Sequence, residues 1–440
     1  MALRPSRRPA VPAQICECGG CGLLQMSPPL VPGMVARCER CGTTLHHSAV
    51  HTIDYSIALT SAALVLLIIM CVTTLMSVQT AGIRLHAGLF SGPAELVARN
   101  MTVLAIVVVF VTVLAPFGKL GGTLYVLMRL SEAKPPDHLR RVFTLAERLG
   151  PWSMIEVFVF GVFVAYVKLG DLVQITLDPG VYALITLTIV LAWTDGALDR
   201  ESVWSRVGRI GIAKDPFPAA SVRRHSGMAI GCETCRLVST PPPANSRCPR
   251  CDSALHERKP DSMARTWALV IAAAVLYVPA NYFPVLTVVQ LGAGAPSTIL
   301  GGVEELLASR MYPLAALVFF ASVAVPMLKL VGLTTMLVTT QAGGSAWRRD
   351  RTRLYHFVRW IGRWSMIDIF MEALLGALVR FGTVITIEPG IGAIAFCGVV
   401  ILTMLAAESF DPRLMWDAAL TGNRQGSPAN PGQIRSAVKA

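Results

Sequence analysis

A chain of 440 residues with 53% apolar and only 15% charged side chains is too greasy for a water-soluble fold of that size, and points to a polytopic membrane protein. Its formal charge of +12 invites a nucleic-acid reading, but about 32 of the 39 lysines and arginines fall on one side of an eight-span arrangement, about five on the other and about two within spans. That asymmetry is the positive-inside bias, so the basic surplus reports topology, argues against nucleic acid as a partner, and sets both termini in the cytoplasm.

Residues 1–54 precede any apolar run. Arg7 and Arg8 sit beside a proline-rich stretch with no apolar core directly after them, which is not the layout of a signal peptide. Two knuckles follow, Cys18-Gly-Gly-Cys21 and Cys38-Glu-Arg-Cys41. The pattern returns in residues 201–262, after a basic, proline-rich linker, as Cys232-Glu-Thr-Cys235 and Cys248-Pro-Arg-Cys251. A C-x-x-C turn aims two sulfurs at one point, and two such turns supply the four thiolates of a tetrahedral Zn²⁺. The predicted cofactor is therefore Zn²⁺, one per module, and it supplies most of the folding energy of a segment with almost no core. Two other readings are a rubredoxin-like iron site with the same ligands, and a redox dithiol, for which the βαβ surroundings are missing. A closed four-cysteine site leaves no position for metal catalysis. Cys16 is read as incidental, and His46, His47 and His256 as surface residues.

Apolar runs long enough to cross a hydrocarbon layer of about 30 Å begin near Tyr55, Met101, Trp152 and Val181, within residues 55–200, and near Trp267, Pro313, Trp364 and Ile391, within residues 263–410. The third, near Met154–Leu169, is the shortest. The tail 411–440, rich in Gly, Pro, Asn and Ser, reads as disordered. The two blocks are copies. P-x-x-K-L recurs at Pro116–Leu120 and Pro326–Leu330, G-x-W-S-M-I-[ED]-x-F at Gly150–Phe158 and Gly362–Phe370, and D/E-P-G at Asp178–Gly180 and Glu388–Gly390. Four spans return the chain to its starting side, so the repeats are parallel, related by an axis along the membrane normal. The predicted fold is an all-α polytopic membrane protein with two parallel four-helix transmembrane repeats, each preceded by a small cytoplasmic zinc ribbon.

Lys119 and Lys329 fall inside spans, where an ammonium costs roughly 2.5–3.5 kcal/mol. Pro116 and Pro326, three residues earlier, each remove a backbone donor and free a carbonyl four residues back, at Thr112 and Ser322. Glu156 and Asp368 lie just inside the next spans at depths that suit pairing with the lysines. The pair fixes helix register, or is a protonatable switch coupled to transport, or both. Ser153 and Ser365 accompany Trp152 and Trp364 where those spans begin, a place suited to interfacial tryptophan. The fifth span carries Pro279, Asn281 and Pro284, which break or bend it, and the eighth carries Thr403. The first copy lacks the proline pair, so the second is expected to hold the more specialised site.

Paired zinc ribbons, parallel four-span repeats, the two P-x-x-K segments, the two W-S-M-I-[ED] segments and Pro279-Ala-Asn281 with Pro284 together resemble the paraquat-inducible protein A family (PqiA/LetA-like). The resemblance covers roughly residues 16–416; the first copy departs in lacking the proline pair and in having Glu156 where the second has Asp368. It implies a bacterial inner-membrane protein, a periplasmic MCE-domain protein as partner, and membrane phospholipid or a similar hydrophobic anion as cargo. The expected function is lipid transport between the inner membrane and that partner, without catalysis and, lacking a phosphate-binding G-x-x-x-x-G-K-[ST], without ATP hydrolysis by this chain. The competing readings are a scaffold that only anchors the partner and a thiol or metal redox stress protein.

Overall fold

The computed structural model describes residues 14–417 apart from 28–29, 31–32, 49–51, 81–82, 131, 133–135, 171–173, 208–228, 240–246, 291–292, 345–346 and 379–384. The expectations for the extreme N-terminus, most of the linker and the tail beyond 417 fall outside the described residues.

The first cysteine module is two antiparallel hairpins, β1 (Gln14–Glu17) with β2 (Leu24–Ser27) and β3 (Val35–Arg37) with β4 (Thr44–His47), each folded around a knuckle. The residue after each second cysteine, Gly22 or Gly42, is left-handed, at φ of 70° and 78°, a conformation that suits glycine. The first repeat then runs α1 (Ile53–Val72), β5 (Thr74–Thr80), β6 (Ile83–Gly88), α2 (Ser91–Ala98), α3 (Thr102–Val109), α4 (Ala115–Arg129), α5 (Leu139–Leu149), α6 (Ile155–Gly170), β7 (Gln174–Leu177), α7 (Pro179–Ala197) and α8 (Arg200–Val207). The second module contributes β8 (Ile230–Gly231) and β9 (Val238–Ser239). The second repeat follows the first element for element as far as the counterpart of α7: α9 (Ser262–Tyr282), β10 (Leu286–Gln290), β11 (Ala293–Ser297), α10 (Ile299–Ala308), α11 (Tyr312–Phe319), α12 (Val325–Gln341), α13 (Arg348–Ile361), α14 (Ile367–Leu378), β12 (Ile385–Pro389) and α15 (Ile391–Ser409).

The membrane part is not wholly helical. Away from the ribbons each repeat builds a three-stranded antiparallel sheet, β6-β5-β7 and β11-β10-β12, which ties the end of its first span to the start of its last. The D/E-P-G segment makes that junction. A Cβ on Gly180 collides with the carbonyl oxygen of Thr74, and one on Gly390 with that of Pro284, so backbone packs directly on backbone in both copies.

Among the described residues seven helical runs are long and apolar enough to cross a membrane. Six match the expected spans, and the short third one is there too, because α5 and α6 join through a 3-10 turn into a single run, Leu139–Val167. The span expected near Trp364 is the one that falls short: α14 has twelve described residues and carries Asp368 and Glu372. Within each repeat the first and last spans pack together, and α6 and α14 face each other across the seam between repeats.

Both repeated prolines sit just after a π-helical turn, Phe110–Leu114 before Pro116 and Phe320–Ala324 before Pro326. There the amide of Ala115 reaches back to Phe110 and that of Val325 to Phe320, one residue further than in an α-helix. The wide turn absorbs the missing proline donor and keeps the span continuous. Pro279 does not break α9 either; the helix runs through it to Tyr282, and Asn281 Nδ2 donates to the Tyr277 carbonyl at 2.8 Å. The helix stops only ahead of Pro284. Residues 411–417, read as the start of the tail, are ordered, with Asp411, Met415 and Trp416 buried.

Candidate functional site

The four sulfurs of Cys18, Cys21, Cys38 and Cys41 lie within 4.8 Å of one another and are buried, as are those of Cys232, Cys235, Cys248 and Cys251. The closest pairs are 3.4 Å (Cys18–Cys41), 3.6 Å (Cys21–Cys38) and 3.4 Å (Cys232–Cys251 and Cys235–Cys248). Four thiolates about 2.3 Å from a tetrahedral metal stand about 3.8 Å apart, so both donor sets fit such an ion, and all eight cysteines are free of disulfides. In the second module the left-handed places after the knuckles are held by Arg236 and Asp252, at φ of 58° and 62°. Cys16 is buried but lies outside the four, its Sγ directed to the Gln25 carbonyl at 3.5 Å, and among the described residues no histidine joins either cluster.

The ribbons are exchanged between repeats. Ribbon 1 precedes repeat 1 in the chain but packs on repeat 2, its cysteines sharing one buried cluster with Leu333, Met336, Val358 and Phe410. Thr43 Oγ1 lies 3.3 Å from His356 Nε2 on α13. Ribbon 2 packs on repeat 1, against Leu127, Leu139, Phe143 and Trp204. Arg140 and Arg141 of α5 reach it at the Pro249 carbonyl (3.3 Å) and Asp252 (3.4 Å). The ribbons also grip each other, Gly231 N donating to Glu17 at 2.8 Å and Arg236 to the Leu45 carbonyl.

Arg413, at the end of the last span, ties this assembly together. Its guanidinium bonds Glu17 of ribbon 1 at 3.0 Å, Glu233 of ribbon 2 at 2.8 Å and Asp411 at 2.9 Å. Burial alone raises the Asp411 carboxyl, but the hydrogen bonds and charge of Arg413 outweigh it and hold the group below the usual range. At Glu17 the balance is reversed, and burial lifts its carboxyl despite Arg413.

Within the membrane part the two lysines have different partners. Lys119 pairs with Asp195 on α7 at 2.8 Å, not with Glu156, and Asp195 is well exposed. Lys329 is fully buried; its Nζ donates to Thr403 Oγ1 at 3.0 Å and to the Gly362 carbonyl at 3.3 Å, not to Asp368. Gly362 opens the repeated G-x-W-S-M-I-[ED]-x-F segment, so the second lysine holds that segment to α15. Asp368 lies instead beside Ser322, which precedes Lys329 by about two turns of helix. Both line a cavity of about 40 Å³ with Ser297, Thr298, Glu372 and Phe396. That space admits a few water molecules and no acyl chain.

Of the remaining residues singled out in the sequence, Thr112 and Ser322 are buried and bond the carbonyls of Val108 (2.7 Å) and Val318 (2.8 Å), four residues back. Ser153 and Ser365 are buried in the turns before α6 and α14, and Ser365 Oγ has no hydrogen-bond partner among the described residues. Glu156 is half-buried at the start of α6. The structure thus brings together Lys329 with Thr403, and Ser322 with Asp368, and it separates these two groups. Sequence reasoning missed Asp195 and Glu372. The second had a signal, since a carboxylate four residues after Asp368 shares its helix face.

Comparison with known proteins gives a consistent picture. The family model described as Paraquat-inducible protein A matches the chain twice, over residues 53–208 and 263–419. The intermembrane transport protein PqiA of Escherichia coli K12 is 32% identical over 405 residues, covering 91% of this chain and 95% of that protein. The lipophilic envelope-spanning tunnel protein A of the same organism is 29% identical over 92% of each chain. A probable intermembrane transport protein of Haemophilus influenzae is 26% identical over 92% of this chain and 96% of its own length. No solved structure gives a significant match.

Proposed function

The chain belongs to the paraquat-inducible protein A family, and from that premise we propose that it is the inner-membrane subunit of a lipid transport system. It moves phospholipid or a similar hydrophobic anion between the inner membrane and a periplasmic MCE-domain partner. Both termini and both ribbons lie in the cytoplasm, and Zn²⁺ occupies the two four-cysteine sites. The names of the relatives support transport between membranes, and the family resemblance supports the partner.

The observation that carries an active role, rather than anchoring alone, is the burial of ionisable groups at membrane depth in repeat 2. Lys329 is fully enclosed and Asp368 and Glu372 are nearly so. Such groups are costly, and a pure anchor has no use for them. In this reading the Lys329–Thr403–Gly362 contact latches the seam, and the cavity beside Asp368 and Ser322 is the polar step that substrate or a proton passes. Since the cavity is too small for a chain of lipid, passage requires α14 to move, and release of Lys329 from Gly362 is the event that frees it.

The test is complementation of an envelope defect together with protein level. Lys329→Ala and Asp368→Asn, made singly and together, are expected to abolish complementation while the protein accumulates normally. Full complementation by Lys329→Ala sinks the proposal. Loss of the protein itself assigns the group a structural role instead.

A further inference from the structure

We propose that the outward face of α13, with the turn that follows it, is a binding site for anionic phospholipid headgroups in the ribbon-side leaflet. The inner face of this helix is spent on packing: Thr352, Tyr355 and Val358 are buried, and the Tyr355 hydroxyl donates to the Ala407 carbonyl at 3.2 Å. The opposite face presents Arg353, Phe357 and Trp360 to the surroundings, Trp360 with 54% of its surface open, and Arg359, four residues after Tyr355, is exposed along the edge of the packed face. Its rings form a continuous series. Phe357 and Trp360 have centroids 6.3 Å apart, Trp360 and Trp364 5.9 Å, and Trp364 and Phe160 of α6 5.0 Å. The series climbs from the ribbon side of the membrane to the seam between repeats.

The duplicated chain supplies its own control. Helix α5 occupies the equivalent place in repeat 1 and keeps the equivalent buried aromatic, Phe143 for Tyr355. The positions around it differ, and one of them, Glu147, is half-buried and paired with Arg200 of α8 at 3.3 Å. Leu145, Glu147, Arg148 and Pro151 stand where repeat 2 has Phe357, Arg359, Trp360 and Arg363. Repeat 2 has exchanged an acid and a proline for two arginines, and a leucine and an arginine for two aromatic rings. The arginines of α5 nearest its ribbon are engaged by that ribbon, whereas on α13 and its turn Arg353 pairs with Asp350 and Arg359 and Arg363 make no ion pair among the described residues. Guanidinium groups recognise phosphate oxygens with paired hydrogen bonds, and tryptophan favours the headgroup depth. Charge complementarity therefore selects a negatively charged lipid over a zwitterionic one, and the rings seat its glycerol and upper acyl segments.

This inference concerns binding, and its test is independent of transport. The full chain in nanodiscs is titrated with phosphatidylglycerol and, separately, with phosphatidylethanolamine, and retained lipid is counted by native mass spectrometry. The expected result is a preference of roughly tenfold for phosphatidylglycerol, lost in Arg359→Gln/Arg363→Gln and kept in Arg141→Gln on the counterpart helix. Trp360→Ala weakens retention of both lipids. If the double variant fails to fold, the exposed single change Arg359→Glu is read in its place. Equal retention of the two lipids by the unaltered chain, or an unchanged preference in Arg359→Glu, overturns the proposal. So does competition by millimolar inorganic phosphate, which would mark a free-phosphate site. A chain that binds selectively yet fails complementation leaves the binding site standing and removes the transport reading.

Discussion

Phe158 and Phe370 occupy the same place in the two copies of G-x-W-S-M-I-[ED]-x-F, and their rings meet edge to face, with centroids 5.4 Å apart and planes at 86°. In two repeats related by an approximate two-fold, equivalent residues meet only close to the axis. The approximate axis relating the repeats therefore runs through this contact, and α6 and α14 form the seam around it.

The seam predicts its own sensitivity. A Cβ on Gly161 of α6 falls 2.7 Å from the Phe370 Cβ. Gly161→Leu is expected to force the helices apart and cost about 1–3 kcal/mol. Gly196, which has open space around it, is the control. Thermal unfolding of the two variants in detergent checks this; equal midpoints for Gly161→Leu and the unaltered chain would count against the close contact.

Exchange of the ribbons predicts a crossed response to metal loss. Cys41→Ser should deprive the first ribbon of its metal and expose α13 of repeat 2, while α5 of repeat 1 stays protected. Cys251→Ser should do the reverse. Hydrogen exchange resolved by peptide distinguishes the two patterns, and elemental analysis is expected to fall from two zinc ions per chain to one in either variant.

Arg413 predicts a structural hub. Arg413→Ala leaves buried Asp411 uncompensated and is expected to cost about 3–5 kcal/mol. Asp411→Asn isolates the pH dependence. The folded carboxyl titrates below its unfolded value, so its contribution is complete above the ordinary aspartate range of about 3.9 and is lost as pH falls through the lower folded value. The stability gap between the unaltered chain and Asp411→Asn should be widest at neutral pH and close on acidification below that range. A gap that widens with acid would show the sign to be wrong.

The two lysines should not behave alike. Lys119→Met breaks a pair with an exposed aspartate, an interaction worth about 0–1 kcal/mol, and is expected to leave stability almost unchanged. Lys329→Met removes an enclosed ammonium and leaves Thr403 still bonded to the Val400 carbonyl at 3.0 Å. It should fold at least as well as the unaltered chain and yet fail to complement. Matching complementation by both variants would assign neither lysine a role in transport.

Orientation is open to direct measurement. Single cysteines introduced near Arg140 and Arg351 in a chain with its other reactive thiols removed should resist membrane-impermeant reagents applied from the periplasm. One introduced near Leu300 should react.

Much of this protein was legible in local sequence. Hydrophobic run length marks a span because a helix must satisfy its own backbone in lipid, and this located every long helix. The knuckle spacing marked all eight sulfurs, since a two-residue gap fixes the geometry within one turn. The recurrence of Pro116 and Pro326 marked a helix irregularity, and both π-helical turns lie there. Partnership between distant residues was not legible. Lys119 facing Asp195, Lys329 facing Thr403 and Gly362, and the whole of α14 as the short member at the seam depend on how helices rotate and how deep they sit. The exchange of ribbons was hidden for the same reason. Two repeats with the same order of elements offer each ribbon two corresponding apolar beds, α5 and α13, and hydrophobicity alone does not choose between them. Chain geometry around the axis at Phe158 and Phe370, with Arg413 gathering Glu17 and Glu233, decides between them.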